Sequence, residues 1–130
     1  MANLNIPADL KYTQNDEWLR IEGDTATIGL SDYAQDQLND IVYVELPDVG
    51  ASFDQGQAFG VVESVKAASD IFMPVGGTVI EVNSALEDEP EIINSDPYGK
   101  GWLIKIRLQD AGQAGALMDS AAYEKYCESR

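Results

Sequence analysis

The feature that most constrains this chain is the rhythm of its first hundred residues: short apolar-polar alternations, each cut off by a turn signal. Trp18 to Glu22 and Thr25 to Leu30 alternate, with Ala26, Ile28 and Leu30 on one face and Gly23-Asp24 between the runs as a hairpin turn. Ile41 to Leu46 follows and is closed by Pro47-Asp48-Val49-Gly50. Ala58 to Val65 and Ala68 to Met73 flank a break at Lys66, and Pro74-Val75-Gly76-Gly77 precedes a further strand from Thr78 to Val82. Trp102 to Leu108 is the last such run, with Trp102, Ile104 and Ile106 on one side. Runs this short cannot each bury a face alone, so they must assemble into sheets around one core.

Two stretches break the rhythm. Ser31-Asp32 reads as a helix start with Ser31 as N-cap, and the short helix through Tyr33, Ala34 and Leu38 should stop at Asn39 in left-handed geometry. From Ala114 onward the period becomes helical, with Ser120 as a cap and Tyr123, Tyr126 and Cys127 at three- and four-residue spacing. Residues 83–101 read as a long polar connection. At 130 residues the chain is expected to be one domain, its core spanning 17–108 and a helical attachment 113–128. A faint repeat at an offset of 27 matches Pro47 to Pro74, Gly50 to Gly77 and Ala58 to Ala85, which suggests two similar sheets facing each other.

Charge narrows the function. The chain has 23 Asp and Glu against 8 Lys and Arg, no His, and a formal charge of −15. Such a surface repels phosphate backbones and anionic lipid, so no nucleic acid or membrane partner is expected; larger proteins with basic docking patches suit it better. Without His a Ser-His-Asp triad is impossible, and with Cys127 as the sole cysteine neither a disulfide framework nor a Cys-based metal cage can form. The acidic run Glu87, Asp88, Glu89 and Glu91 lacks calcium-loop spacing and reads as a solvated face. No apolar run approaches the roughly 20 residues that cross a bilayer. The start of the chain shows neither a signal peptide nor an Arg-rich transit sequence, so a cytoplasmic location is expected by default, although a mature mitochondrial chain lacking its presequence would look similar.

Between Arg20 and Lys100 stands one basic residue, Lys66, among sixteen acids. It occupies the break between two strand-like runs and is flanked by Val65, Ala67 and Ala68. A lysine at a hairpin tip projects its amine where another enzyme reaches it without unfolding anything. An ordinary ammonium is a poor nucleophile unless desolvated or placed beside another cation. The placement therefore favours an attachment point over a catalyst.

Glu63-Ser64-Val65-Lys66-Ala67 resembles the lipoylation motif of the glycine cleavage system H proteins. Leu10-Lys11-Tyr12-Thr13, Glu17-Trp18, Tyr33-Ala34-Gln35, Asp40 to Pro47 and Asn94 to Trp102 resemble family segments in family order. Biotinyl domains place Met on both sides of their lysine, whereas this chain has Val65 and Ala67. The resemblance implies a mainly β barrel-sandwich hybrid that carries lipoate on Lys66 and performs no catalysis itself. It implies four partners: a pyridoxal-phosphate glycine decarboxylase (P protein), a tetrahydrofolate-dependent aminomethyltransferase (T protein), a dihydrolipoamide dehydrogenase (L protein), and a lipoate ligase or lipoyl transferase. It further implies that Glu63, Gly50 and Gly77 serve lipoylation and that the loaded arm docks at Glu17 and Trp18, the carboxylate meeting its ammonium and the indole supplying an apolar wall. A stand-alone lipoyl donor for other enzymes needs the same Lys66 and is the alternative; a biotinyl carrier is the more distant one. Relatives usually carry His where Asp16 stands, Gly where Asn39 stands, and often His where Tyr33 stands.

Overall fold

The computed structural model describes residues 4–130; the opening Met1–Asn3 of the sequence lies outside them. Strand β1 (Lys11–Tyr12) pairs with β2 (Glu17–Glu22), which forms a hairpin with β3 (Thr25–Leu30) in the register Glu22↔Thr25. Gly23 takes φ +66 at the turn, which is why the hairpin closes in two residues. Helix α1 (Asp32–Leu38) starts as expected: the Ser31 hydroxyl accepts from the Ala34 amide at 3.1 Å.

Its other end differs from expectation. Asn39 has φ 64 but ψ −145, outside the left-handed helical well and in a region that belongs almost wholly to glycine. The Asn94 side chain holds it there, donating to the Asn39 carbonyl at 2.8 Å and accepting from the Ile41 amide at 2.9 Å.

The remaining strands are β4 (Ile41–Glu45), β5 (Ser52–Phe53), β6 (Ala58–Ser64), β7 (Ala68–Phe72), β8 (Gly77–Val82) and β9 (Ile104–Leu108). They form a six-stranded sheet in the order β1-β2-β3-β9-β8-β5 and a three-stranded sheet in the order β4-β6-β7. Between the sheets lies one apolar core that includes Ile28, Val62, Ile71, Val79, Ile104 and Ile106. A second cluster of Tyr12, Trp18, Tyr98, Tyr123 and Cys127 covers the outer side of β2 and β3. Gly29 is required there, because a Cβ would lie 2.5 Å from the Trp18 ring.

The 27-residue repeat is not built as two separate sheets. Its first strands, β4 and β7, lie in the same sheet on either side of β6. Its second strands, β5 and β8, pair with each other in the other sheet at Ser52↔Thr78. Each unit therefore crosses from one sheet to the other, and this crossing makes the two sheets a single closed body.

The polar connection 83–101 is folded. It contains α2 (Ala85–Asp88) and α3 (Ile92–Ser95), whose Leu86 and Ile93 are fully buried. Asn83 braces its ends by donating to the carbonyls of Lys100 and Trp102 at 2.8 Å each. Trp102 precedes β9 instead of alternating within it, and Leu103 and Ile104 are both buried. After a 3-10 turn at Ala111–Ala116 comes α4 (Ser120–Glu128), capped by Asp119 and not by Ser120: the Asp119 carboxylate accepts from the Ala122 amide at 2.8 Å.

Candidate functional site

The hairpin between β6 and β7 is closed by the Ser64 amide, which donates to the Ala67 carbonyl at 2.8 Å and leaves Val65 and Lys66 as a two-residue tip. The Ser64 hydroxyl accepts from the amides of both Lys66 and Ala67 at 3.1 Å. Serine suits this position because one short side chain satisfies two turn donors. Val65, 69% exposed, ties the tip down through its backbone, its amide donating to the Asp40 carbonyl at 3.0 Å. The exposed Lys66 amine donates to the Gln37 carbonyl at 3.3 Å, in the last turn of α1. The partial negative charge of a helix C-terminus favours such a cation.

Asn94 braces the shelf below the tip. Besides its bonds to Asn39 and Ile41, it donates to Gln35 at 3.1 Å, so α1, α3 and the start of β4 meet on one side chain. Neither Ser64 nor Asn94 was singled out by its sequence context. Ser64 had a local signal, a hydroxyl two residues before the amine; the Asn94 bonds span 53 to 59 residues and had none.

Glu63 is exposed on β6, opposite Tyr43 on one side and Ala68 on the other. It lies on the outer face of the three-stranded sheet, one residue before the serine that shapes the tip. Gly50 and Gly77 are elsewhere, past the ends of β4 and β7 remote from Lys66. Gly50 takes φ +96 and donates to the Val79 carbonyl at 2.8 Å. At Gly77 an added Cβ would lie 2.5 Å from the Arg107 carbonyl oxygen. Both glycines thus have backbone roles at the joint between the sheets.

Glu17 is 1% exposed although it is a carboxylic acid. The Thr13 hydroxyl donates to its Oε1 at 2.6 Å, and the Phe72 amide donates to its Oε2 at 3.1 Å. Burial pushes its pKa up to about 7, against which those two bonds act only in part. Among the described residues no Lys or Arg forms an ion pair with it. Trp18 is fully buried, its indole N–H donating to the Pro97 carbonyl at 3.0 Å, so as the next residue on β2 it points to the opposite face from Glu17 and exposes no ring. Lys66 and Glu17 stand at opposite ends of β7: the tip precedes Ala68, Glu17 holds Phe72, and the four-residue rise between them is about 13 Å.

Two sheets closed over a shared core, with one lysine presented on a hairpin tip, make this a lipoyl-type carrier fold. The family model for the glycine cleavage H-protein matches residues 10–130. The chain is 58% identical over 120 residues to the mitochondrial glycine cleavage system H protein 2 of Arabidopsis thaliana, covering 92% of this chain and 77% of that one. It is 54% identical to the H protein of Marinobacter nauticus, covering 93% and 94%. The crystal structure of the H protein from Mycobacterium marinum superposes with a TM-score of 0.84 at 36% identity, covering 95% and 98%. The chain belongs to the glycine cleavage system H-protein family.

Proposed function

We propose that Lys66 is the N6-lipoyllysine of a carrier that moves the aminomethyl group of decarboxylated glycine from the P protein to the T protein and delivers electrons to the L protein. The observation that carries this reading is Lys66 itself, the lone cation between Arg20 and Lys100, set on an exposed tip whose shape Ser64 fixes. Lipoate supplies a disulfide that accepts the one-carbon unit and two electrons; the chain supplies placement. Tethering on a short loop keeps the effective concentration of cargo high at each partner in turn. The ligase or transferase that installs lipoate meets an exposed amine that rests on the Gln37 carbonyl.

A loaded arm ends in a primary ammonium, and Glu17 is the group we assign to receive it. The carboxyl is buried, has two neutral donors and, among the described residues, lacks a cation, so an arriving ammonium would complete it. A charge-assisted bond of this kind contributes about 1.5–3 kcal/mol. The acidic surface matches partners with basic patches, and among the described residues no helix is long and apolar enough to cross a membrane. The compartment we propose is the cytoplasm.

The test is Lys66→Arg. The variant should fold normally, accept no lipoate by intact mass, and fail to support glycine decarboxylation exchange with the partner enzymes. Lipoate recovered on another lysine with activity intact would refute the assignment.

A further inference from the structure

The turn that carries Glu17 is held from the far end of the chain. Asp16 lies between the turn and helix α4 with φ +70, a conformation that an L residue keeps only when its surroundings enforce it. Three groups do so. The Arg130 guanidinium grips the Asp16 carboxylate with both nitrogens, at 2.5 Å to Oδ1 and 3.0 Å to Oδ2. The Tyr123 hydroxyl donates to Oδ1 at 2.8 Å and, its one proton so used, accepts from Ser31 at 2.6 Å. The Ser31 amide donates to the Asp16 carbonyl at 2.9 Å. Arg130 is itself clamped between the rings of Tyr33 and Tyr126, at 4.3 and 4.7 Å from their centroids.

From Asp16 the connection to Glu17 is short. The Asp16 amide donates to the Thr13 carbonyl at 3.2 Å, and the Thr13 amide donates to the Glu17 carbonyl at 3.0 Å. The Thr13 hydroxyl, placed by that turn, makes the 2.6 Å bond to the Glu17 carboxyl, whose other oxygen holds β7 at Phe72. We propose that Arg130 is a positioning residue: acting through Asp16, it fixes the Thr13–Glu17 turn and so sets the Glu17 carboxyl against the edge of β7. Its bearing on the carrier cycle rests on the reading of Glu17 as the partner of the loaded arm. The Asp16–Arg130 pair is only partly exposed, with side chains 14% and 27% accessible, so its two parallel bonds hold geometry that a surface pair would not.

The experiment removes the grip and reads Glu17 directly. In full-length, unlipoylated protein, Arg130→Ala is compared with wild type by carboxyl-carbon NMR titration of Glu17 and by hydrogen exchange at the Phe72 amide. Two effects of the substitution oppose each other. Unpairing the Asp16 carboxylate raises the Glu17 midpoint through charge repulsion, whereas a loosened turn admits water and lowers it toward 4.5. Since burial is the larger cause of the present value, the positioning role requires the midpoint to fall below 7 and exchange at Phe72 to quicken about tenfold. A midpoint that rises or stays, or unchanged exchange at Phe72, would overturn the proposal, because the turn would then hold without Arg130. Should the midpoint fall while the loaded carrier keeps its full lifetime, the positioning role stands and the assignment of Glu17 to the arm fails.

Discussion

The Phe72 amide donates to the Glu17 carboxyl, so the edge of β7 is fastened to β2 by a side chain that titrates near neutrality. The folded midpoint of about 7 lies above the ordinary 4.5, which means that the folded state binds this proton more tightly than the unfolded chain. Its contribution to stability is therefore complete below pH 4.5 and is lost as pH rises through 7. Compared with Glu17→Gln, which does not titrate, wild type should lose at most roughly 3 kcal/mol across that window. Denaturant unfolding of both proteins at several pH values checks it. Parallel pH profiles would show that Glu17 does not couple.

A cation reaching Glu17 lowers its midpoint, and protonating Glu17 weakens its hold on the cation. The loaded carrier should accordingly release ammonia and formaldehyde faster at pH 5.5 than at pH 8 when the T protein is absent. Glu17→Ala should release them quickly at both. A half-life independent of pH and unaffected by Glu17→Ala would place the shelter elsewhere.

Asn39 sits in backbone geometry that glycine adopts freely, and among the described residues its own side chain has no hydrogen-bond partner. Asn39→Gly should thus stabilise the protein by about 1 kcal/mol, read as a raised denaturation midpoint with an unchanged slope. The bond from Asn94 to the residue-39 carbonyl survives the change. A destabilised variant would show that the strain is not there.

Gly50 and Gly77 separate two roles. Gly77→Ala forces a Cβ onto the Arg107 carbonyl and should cost about 2–3 kcal/mol; Gly50→Ala has open space but keeps φ +96 and should cost about 1–2 kcal/mol. At a temperature where both remain folded, lipoylation should proceed at the wild-type rate. A slowed reaction would mean that the modifying enzyme reads these glycines after all.

Glu63 faces outward beside the tip and among the described residues its side chain has no hydrogen-bond partner, so it contributes little to stability. An enzyme that holds an acyl-adenylate has a basic active site, and Glu63 is the nearest acid on its approach along β6. Glu63→Gln should slow lipoylation in vitro while thermal unfolding stays unchanged. Equal rates would remove Glu63 from recognition.

The strands with at least five residues were legible because alternation needs length to show. β1 and β5, two residues each, carry no period, and only their partners β2 and β8 define them. The helices α2 and α3 were hidden by their acids; what folds them is two buried residues, Leu86 and Ile93, and the brace at Asn83. Asp119 and Ser120 are both competent caps, and no local rule chooses between neighbours. At the site, charge isolation pointed to Lys66. The burial of Glu17 was illegible because a carboxylate almost never goes inside, and what allows it is contact with Phe72, 55 residues away.

The Lys66 amine rests on the Gln37 carbonyl while it is an ammonium with three protons to give. Once that nitrogen belongs to an amide it keeps one proton and no charge, and the negative end of α1 loses its hold. The acylation proposed for this amine, which would equip the side chain with its cargo group, would also unmoor it. The unmodified chain carries a docked lysine; a lipoylated one would carry a loose oar.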